Sequence, residues 1–341
     1  MAQRITLKMI AENFGVSIST VSKALNNSVE ISKDTKIEIQ KYASFVKYKP
    51  NSIARSLRNS QTKTIGVVVP NIQNNFFSKA FAGIEEVCSA NDYTLISCIS
   101  DDSYEKEVKT IELLKNGALD GIILSIAEET EVRKDYRHLK NVADEGIPLV
   151  LFDRVVDNVS CDKIIVDDFD AAYNATRKLI QSGCKHVAVV SKLDALSVGK
   201  LRAAGYKSAI KDYNPDQPEM IFSIGKSEDI TECLIEVLST HRIDALLCFE
   251  ETATLNAVQL LKTLGKRIPE DVSVISFTNN DLQKFLTPAV TTVSQHARKI
   301  GMTAATMLIK RLEKKHFGDH QTKVICTSLI ERDSTRAFKT F

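Results

Sequence analysis

Hydrophobic residues follow two different patterns along the chain, and the change falls near residue 63. In the first part, residues 1–62, apolar residues recur at helical spacing, with one Gly and one Pro among them. After it, nine apolar runs rich in β-branched residues alternate with amphipathic stretches. The runs are 64–70, 93–99, 121–125, 148–153, 163–166, 186–190, 220–224, 245–249 and 272–277. Runs that are apolar throughout predict strands buried on both faces, as in a parallel sheet covered by helices.

The stretches between these runs have helical periodicity and predict the crossover connections. Clear examples are 78–91, 104–116, 168–182 and 252–264. Strands that alternate with helices predict a doubly wound α/β body. Because the strands fall into two series, we expect two similar lobes.

The first part predicts three short helices. Thr6 and Ser17 can cap the first two, and Gly15 stands between them where a helix ends in a left-handed conformation. A third helix opens at Ser32. Two helices joined by a Gly-containing turn and braced by a third form the helix-turn-helix arrangement, whose second helix lies in the DNA major groove. Any three-helix bundle would show the same periodicity.

The charge is unevenly divided along the chain. The net charge of +2 combines ten basic and four acidic residues in 1–62 with 35 basic and 39 acidic residues in the remainder. A basic head on a mildly acidic body is typical of a nucleic-acid-binding module joined to another domain, although a solvated surface could be equally uneven.

Several classes of protein do not fit this sequence. No apolar run approaches about 18 residues and the N-terminus lacks an apolar signal region, so we expect a cytoplasmic protein that neither is secreted nor spans a membrane. The seven cysteines include no CxxC pair and predict reduced core thiols. There is no metal-ligand spacing, P-loop, GxGxxG after the first strand or nucleophile elbow. We therefore predict no enzyme activity, metal or cofactor.

Longer motifs resemble the LacI/GalR family of bacterial transcriptional regulators. They are ITLKMIAENFGVSISTVSKALNN, ISKDTK, YKPNSIARSLRNSQTKTIGVVVPNIQNNFFSKAFAGIE, IPLVLFDR, RAAGY, RIPEDVSVISF and LTPAVTTVSQ, and they span essentially the whole chain. The resemblance implies an all-α helix-turn-helix head over 1–48 and a hinge helix and linker over 49–62. It implies a two-lobed core over 63–341, of the type I periplasmic-binding-protein-like α/β fold with parallel sheets. The expected lobes are approximately 63–162 with 293–325, and 163–292 with 326–341.

The same resemblance assigns DNA contacts in the head. Ile18, Ser19 and Lys23 match the family's base-reading positions: Ile18 suits a thymine methyl group, and Lys23 suits the acceptors of guanine. The other expected DNA-binding residues of the head, most of them phosphate anchors, are Thr6, Leu7, Ser17, Thr20, Ser22 and Asn26. For Thr20 and Ser22 the alternative is a helix cap or an ordinary surface position.

The predicted hinge helix is barely two turns long, so it is marginal in water and should form only when paired with its dimer mate on DNA. The resemblance implies that Leu57 is a wedge in the minor groove, flanked by Ala54 and Arg55. Asn51 would cap the helix and Arg58 would contact phosphate. The alternative is a flexible tether.

Candidate effector-binding residues follow the apolar runs, because ligands of open α/β sheets lie beyond the carboxyl ends of the strands. The resemblance implies that Arg202 grips the ligand and that Phe76 or Phe77 stacks on a ring. The full set is Asn71, Asn74, Phe76, Phe77, Asp153, Arg154, Asp167, Arg202, Phe249, Glu250, Thr278 and Asn279. The acidic members could instead be strand-end or helix-cap groups.

The sequence departs from the family at two places in this set. Many members have Asn-Asp where this chain has Glu250 and Glu251, and Asp-Asp where it has Thr278 and Asn279. The loss of a carboxylate at 278 removes an acceptor for sugar hydroxyls. We still predict a sugar or sugar derivative, while a nucleobase or a phosphorylated ligand remains open.

Together these observations predict a DNA-binding transcriptional repressor that is controlled allosterically by a small-molecule effector bound between two lobes. A two-fold reader of DNA implies a homodimer on a pseudo-palindromic double-stranded operator. The helices at 78–91 and 296–312 are candidates for the dimer interface. The alternative is a solute-binding sensor or transport protein with no DNA role.

Overall fold

The computed structural model describes residues 5–48, 62–117, 119–225, 230–278, 280–313 and 318–337. The chain divides into two compact units, Met1–Thr62 and Lys63–Phe341. No helix among the described residues is long and apolar enough to cross a membrane. The expected hinge contacts lie outside the described residues. They are Asn51, Ala54, Arg55, Leu57 and Arg58.

The first unit contains the three predicted helices, α1 (Leu7–Phe14), α2 (Ile18–Leu25) and α3 (Lys33–Phe45). They share a small core. Its buried members are Ile10, Ala11, Val21, Ala24, Ile39 and Ala43.

The predicted helix ends of this unit are confirmed. The hydroxyl of Thr6 accepts from the N–H of Met9 at 3.3 Å, and that of Ser17 accepts from the N–H of Thr20 at 3.0 Å. Gly15 has a φ of 60°, the left-handed value that lets the chain leave α1 and turn into α2. Ser32 caps α3 in the same way, through the N–H of Thr35.

The second unit is the predicted two-lobed α/β body with two six-stranded sheets. Its strands are β1 (Thr64–Val69), β2 (Thr94–Ile99), β3 (Gly121–Leu124), β4 (Leu149–Phe152), β5 (Asp162–Val166), β6 (Val187–Ser191), β7 (Ile221–Ser223), β8 (Ala245–Cys248), β9 (Ser273–Phe277), β10 (Thr291–Ser294), β11 (Thr322–Ile325) and β12 (Ser328–Ile330). Its helices are α4 (Asn75–Ala90), α5 (Tyr104–Asn116), α6 (Glu128–Arg133), α7 (Arg137–Asp144), α8 (Asp168–Gln181), α9 (Ser197–Tyr213), α10 (Ile230–Thr240), α11 (Glu251–Thr263) and α12 (Ala297–Leu312), with a 3₁₀ turn at Asp281–Phe285.

The strand order is β11-β5-β4-β3-β1-β2 in the first sheet and β12-β10-β9-β8-β6-β7 in the second. All nine apolar runs form strands, and every pairing is parallel except that of β10 with β12. The last three strands were not predicted. β11 is mostly exposed at a sheet edge, and β12 has three residues, so neither has an apolar run to mark it.

Two expected lobe boundaries are wrong: the division at 292/293 assigns the end of β10 to the first lobe, although β10 pairs with β9 in the second sheet. The division at 162/163 assigns most of β5 to the second lobe, but β5 pairs with β4 and β11 in the first sheet. The chain therefore crosses to the second lobe after Val166 and returns after β10, which pairs with β9. A short apolar strand fits either sheet equally well, so its own residues do not determine which sheet it joins.

The first lobe is built around a close contact between α4 and α12. An added Cβ at Gly301 would lie 1.9 Å from the carbonyl oxygen of Ala80, and one at Gly83 would lie 2.1 Å from that of Arg298. The two backbones thus touch directly, and their apolar side chains form one core with the sheet. This packing accounts for much of the apolar surface that suggested these helices as a dimer interface.

The prediction of core thiols is confirmed for only some of the cysteines. Cys88, Cys161, Cys184 and Cys248 are buried, whereas Cys326 is exposed. The remaining two, Cys98 and Cys233, are half-buried, and all seven described thiols are free.

Candidate functional site

A cavity of about 470 Å³ lies between the two lobes. The carboxyl ends of β1 and β4 open onto it from the first lobe, and those of β6, β8, β9 and β10 open onto it from the second. This is the place where an open α/β sheet binds ligands. Of the predicted effector residues that the structure describes, all but Asp167 line this cavity. Asn279 lies outside the described residues.

The prediction for Asp167 is wrong. Its Oδ1 accepts from the N–H of Thr327 at 2.7 Å. Asp167 therefore fastens the C-terminal segment between β11 and β12 to the start of α8, away from the cavity. It is the strand-end group that the alternative interpretation described.

Arg202 is held rigidly on the second-lobe side. Its Nε donates to Oδ1 of Asp168 at 2.7 Å and its Nη1 donates to the carbonyl oxygen of Phe249 at 2.6 Å. The guanidinium carbon lies 4.3 Å from the centre of the Phe277 ring, at cation–π distance. Burial raises the pKa of Asp168, and the charge of Arg202 opposes that shift. Arg202 is thus oriented before any ligand arrives.

Arg154 has a similar arrangement on the first-lobe side. The side chain is buried and donates to Asp102, and it lies 5.6 Å from the ring of Phe77. Phe76 and Phe77 pack edge to face at 5.2 Å and are themselves largely buried in the lobe's core. Each arginine of the cavity therefore has an aromatic face and a carboxylate that is not part of the cavity wall.

Asp153 differs from both arginines because its carboxylate has no hydrogen-bonding partner among the residues that the structure describes. Its backbone is left-handed, with a φ of 61°, and its N–H donates to Ile164. Burial raises the pKa of Asp153 to about 6; Arg154 and Arg202 oppose the shift, and Asp168 and Glu131 add to it. A left-handed backbone and a carboxylate without a partner among the described residues make Asp153 a candidate for ligand contact.

The Asp153 carboxyl predicts a pH-dependent stability in the ligand-free protein. The pKa of Asp153 is higher in the folded protein than in the unfolded chain. The free energy of unfolding therefore falls as the pH rises from about 4 through 6. We expect Asp153→Asn to raise the free energy of unfolding by about 1–3 kcal/mol at pH 8 and to have little effect below pH 4. Urea titrations across this range measure it. Asp157→Asn, at an exposed position nearby, is the control, and equal effects of the two variants at every pH would contradict the prediction.

The acidic residues after β8 have local partners. Glu250 caps α11, because its two carboxylate oxygens accept from the N–H groups of Ala253 at 3.0 Å and Thr252 at 3.2 Å. Burial raises the pKa of Glu250. The next residue, Glu251, accepts from the side-chain amide of Asn280. Glu250 is therefore a helix cap, as the alternative interpretation of the acidic residues proposed. It also lies in the cavity wall.

The structure adds cavity residues that the sequence did not reveal. They are Gln73, Asn75, Leu193, Leu196, Val198, Glu251, Thr252, Leu255, Phe277, Asn280 and Gln295. Gln295 directly follows β10 and Leu193 follows β6, so the strand-end rule would have found both had β10 been recognised and the loop after β6 been considered. The side-chain oxygen of Asn75 is buried without a partner among the described residues.

Two polar contacts join the lobes near the cavity. Glu131 of α6 accepts from the N–H of Ser197, the first residue of α9, which has no side-chain cap of its own. Lys79 of α4 pairs with Asp281 at 2.6 Å. Changing the angle between the lobes would have to break or remake these contacts.

In the first unit, the outer face of α2 is exposed as predicted. Ile18 is 48% exposed and Ser19 is exposed, while Val21 and Ala24 are buried. Gln40 of α3 braces α2 from behind, donating to the carbonyl oxygen of Ala24 at 3.0 Å.

Most of the other expected DNA-binding residues of the head are already engaged in local contacts. Thr6 and Ser17 are caps, and the Thr20 hydroxyl is 2.9 Å from that of Ser17. The side-chain amide of Asn26 donates to the Ser22 carbonyl oxygen at 2.6 Å. Leu7 packs against the core of the head.

Comparison with known proteins gives two family matches. Residues 6–51 match bacterial regulatory proteins of the lacI family, and residues 62–337 match periplasmic binding proteins and the sugar-binding domain of the LacI family. The HTH-type transcriptional repressor PurR of Vibrio atlanticus is 32% identical over 337 residues, covering 97% of this chain and 98% of that protein.

Two solved structures have a similar fold. The lac repressor dimer bound to operator and the anti-inducer ONPF has a TM-score of 0.84 at 20% identity, covering 98% of this chain and 100% of that chain. A LacI family transcriptional regulator from Enterococcus faecium with bound ribose has a TM-score of 0.70 at 26% identity, covering 81% of this chain and 100% of the other.

Proposed function

Since the chain belongs to the LacI family of bacterial regulatory proteins, we propose that it is a transcriptional repressor whose affinity for operator DNA is set by a small molecule held between the lobes of its body. The observation that carries the proposal is the cavity between the lobes, with Arg202 already oriented in its wall, in a chain whose head exposes a braced second helix. The protein acts by binding, in the cytoplasm, and is not an enzyme.

The head supports sequence-specific DNA binding. Ile18, Ser19 and Lys23 present an apolar group, a hydroxyl and an ammonium on one exposed helix face, which suits base edges in the major groove. The helix N-terminus and its hydroxyl groups suit phosphate, which sets the position of the helix without carrying sequence information. As a homodimer, the protein would present two such faces to the two halves of a pseudo-palindromic operator.

The cavity favours an effector without negative charge. Asp153, Glu250 and Glu251 are three carboxylates in its wall, and the positive charges of Arg154 and Arg202 are each matched by a carboxylate outside that wall. A phosphorylated ligand would meet more negative than positive charge. A sugar or sugar derivative can donate hydroxyls to Asp153 and accept from the arginines. The ribose-bound relative from Enterococcus faecium supports the same class.

Closure of the lobes is the step by which the effector would act. A ligand that bridges the cavity stabilises one angle between the lobes, and a different angle would have to break or remake the contacts of Glu131 with Ser197 and of Lys79 with Asp281. A ligand can shift this equilibrium only by as much as its affinities for the two arrangements differ. Through the hinge region, this angle would set the spacing of the two heads of a dimer.

Two experiments on the full-length protein test this function. Selection from a random double-stranded library should enrich an inverted repeat. A thermal-shift panel of neutral sugars, the matching sugar phosphates and nucleobases should show stabilisation by a neutral member, because specific binding stabilises by mass action. The bound compound should then change the affinity for the selected DNA. Failure to enrich any sequence would favour a solute-binding protein without a DNA role, and stabilisation by a sugar phosphate alone would contradict the effector class.

A further inference from the structure

A lysine on the DNA-facing helix is paired with an acidic residue from the loop that follows it. The ammonium of Lys23, in the last turn of α2, donates to a carboxylate oxygen of Glu30. The two side chains remain 43% and 62% exposed. The pair therefore lies on the surface at the end of the helix that we propose enters the major groove.

Folding stability does not explain the pair, because exposed ion pairs contribute little to it. Lys8 and Glu12 on α1 form an ordinary surface pair of this kind at 3.9 Å. A carboxylate close to DNA also lowers the affinity for a polyanion. Glu30 is one of only four acidic residues in the stretch 1–62, which has ten basic ones. Its place beside Lys23 is therefore unfavourable for simple attraction to DNA.

The chemistry of the pair distinguishes phosphate from base edges. An unpaired lysine binds any phosphate, which gives affinity without sequence information. With Glu30 paired to Lys23, a phosphate oxygen that approaches the ammonium also meets a neighbouring negative charge. At a G·C base pair both groups are satisfied, because the ammonium donates to O6 and N7 of guanine and a carboxylate accepts from the N4 amino group of cytosine.

We propose that Glu30 is a specificity-determining residue, which withholds Lys23 from phosphate and directs it to the edge of a G·C base pair. The inference rests on the proposed DNA-binding function and goes beyond it in assigning a role to an acidic side chain. Glu30 raises specificity by lowering the affinity for nonspecific DNA.

The test compares wild type with Glu30→Gln and with Glu12→Gln, which removes the same charge from the exposed Lys8–Glu12 pair. DNA selected by the wild type and a scrambled duplex of equal length are titrated at several salt concentrations. We expect Glu30→Gln to bind scrambled DNA about 3–10-fold more tightly than Glu12→Gln does and to discriminate less between the two duplexes. The slope of log K against log salt should steepen by about 2 for a dimer, since one phosphate contact per protomer contributes about 0.9. Selection with Glu30→Gln should show a weaker preference for G·C at one position of each half-site.

A second comparison, made in protein that carries Lys23→Ala, shows whether the effect of Glu30→Gln on DNA binding depends on Lys23. In Lys23→Ala protein, adding Glu30→Gln should change binding no more than adding Glu12→Gln does. The proposal is overturned if Glu30→Gln and Glu12→Gln match in discrimination and salt slope, or if Glu30→Gln weakens binding to scrambled DNA. A wild type that enriches no sequence would instead refute the DNA-binding function itself. Melting curves of all variants confirm that the head is folded.

Discussion

Replacing Arg202 with methionine should lower the free energy of unfolding by about 3–5 kcal/mol, because it leaves a buried carboxylate without its partner. Arg202 is 3% exposed and Asp168 is buried against it, with the Arg202 Nε 2.7 Å from Oδ1 of Asp168. The carbonyl oxygen of Phe249 loses a donor as well. The same change should abolish stabilisation by any compound that the wild type binds in the cavity.

Two further variants separate these causes. Adding Asp168→Asn to Arg202→Met should recover much of the lost stability, since the uncompensated charge is gone, but should not restore ligand binding. Arg267→Met removes an arginine that is exposed and paired with Asp271 at 2.9 Å, so it should cost about 1 kcal/mol or less. Urea titrations measure all three variants. If Arg202→Met and Arg267→Met lowered the free energy of unfolding by similar amounts, the buried pair would stabilise the protein no more than the exposed one does.

Replacing Gly301 with alanine should destabilise the first lobe by about 3 kcal/mol, a cost at the upper end for overpacking. The added Cβ would lie 1.9 Å from the carbonyl oxygen of Ala80 and 3.0 Å from the backbone nitrogen of Ile84. These are backbone atoms of a packed helix, so no side-chain rotation can relieve the contact. The helices α4 and α12 would have to move apart and loosen the core between them.

Gly265→Ala is the control for the loss of a glycine. Gly265 has a φ of 68°, and its added Cβ would meet no atom within 4 Å, so only the cost of the left-handed conformation applies, about 1 kcal/mol. Chemical denaturation of both variants measures the loss in the free energy of unfolding, provided that the m-value does not change. The close contact of the two helices would be contradicted if Gly301→Ala were no more destabilised than Gly265→Ala.

Local patterns predicted most of the fold because the forces they express are local. The caps at Thr6 and Ser17 and the turn at Gly15 involve residues within one helical turn of each other. The apolar runs predicted strands because a strand buried on both faces needs apolar residues throughout. β11 and β12 escaped this rule, since an edge strand is held by pairing with a neighbour rather than by burial.

The candidate site was predictable as a set of strand ends, and less so residue by residue. The strand-end rule located Arg202's neighbour Phe249 and the residues Asp153, Arg154 and Thr278, which all line the cavity. It also selected Asp167, which the same rule cannot distinguish from a cavity residue. The hydrogen bond from Thr327 decides the role of Asp167, and Thr327 lies far away in the sequence.

By itself, the sequence determined the helix-turn-helix head, the family, the two-lobed α/β body and the end of each sheet where a ligand binds. The head and the body follow from periodicity and capping, and the family follows from the resemblance of the longer motifs. The ligand-binding end follows from the residues that come directly after each apolar run, so all of these features are written in consecutive residues. Only the tertiary structure decided which sheet β5 joins, which carboxylate holds Arg202, that Asp153 has no partner among the described residues, and that Glu30 pairs with Lys23. The physical reason is that hydrogen bonds and ion pairs act over a few ångströms in space, and a sequence does not state which distant residues folding brings within that range.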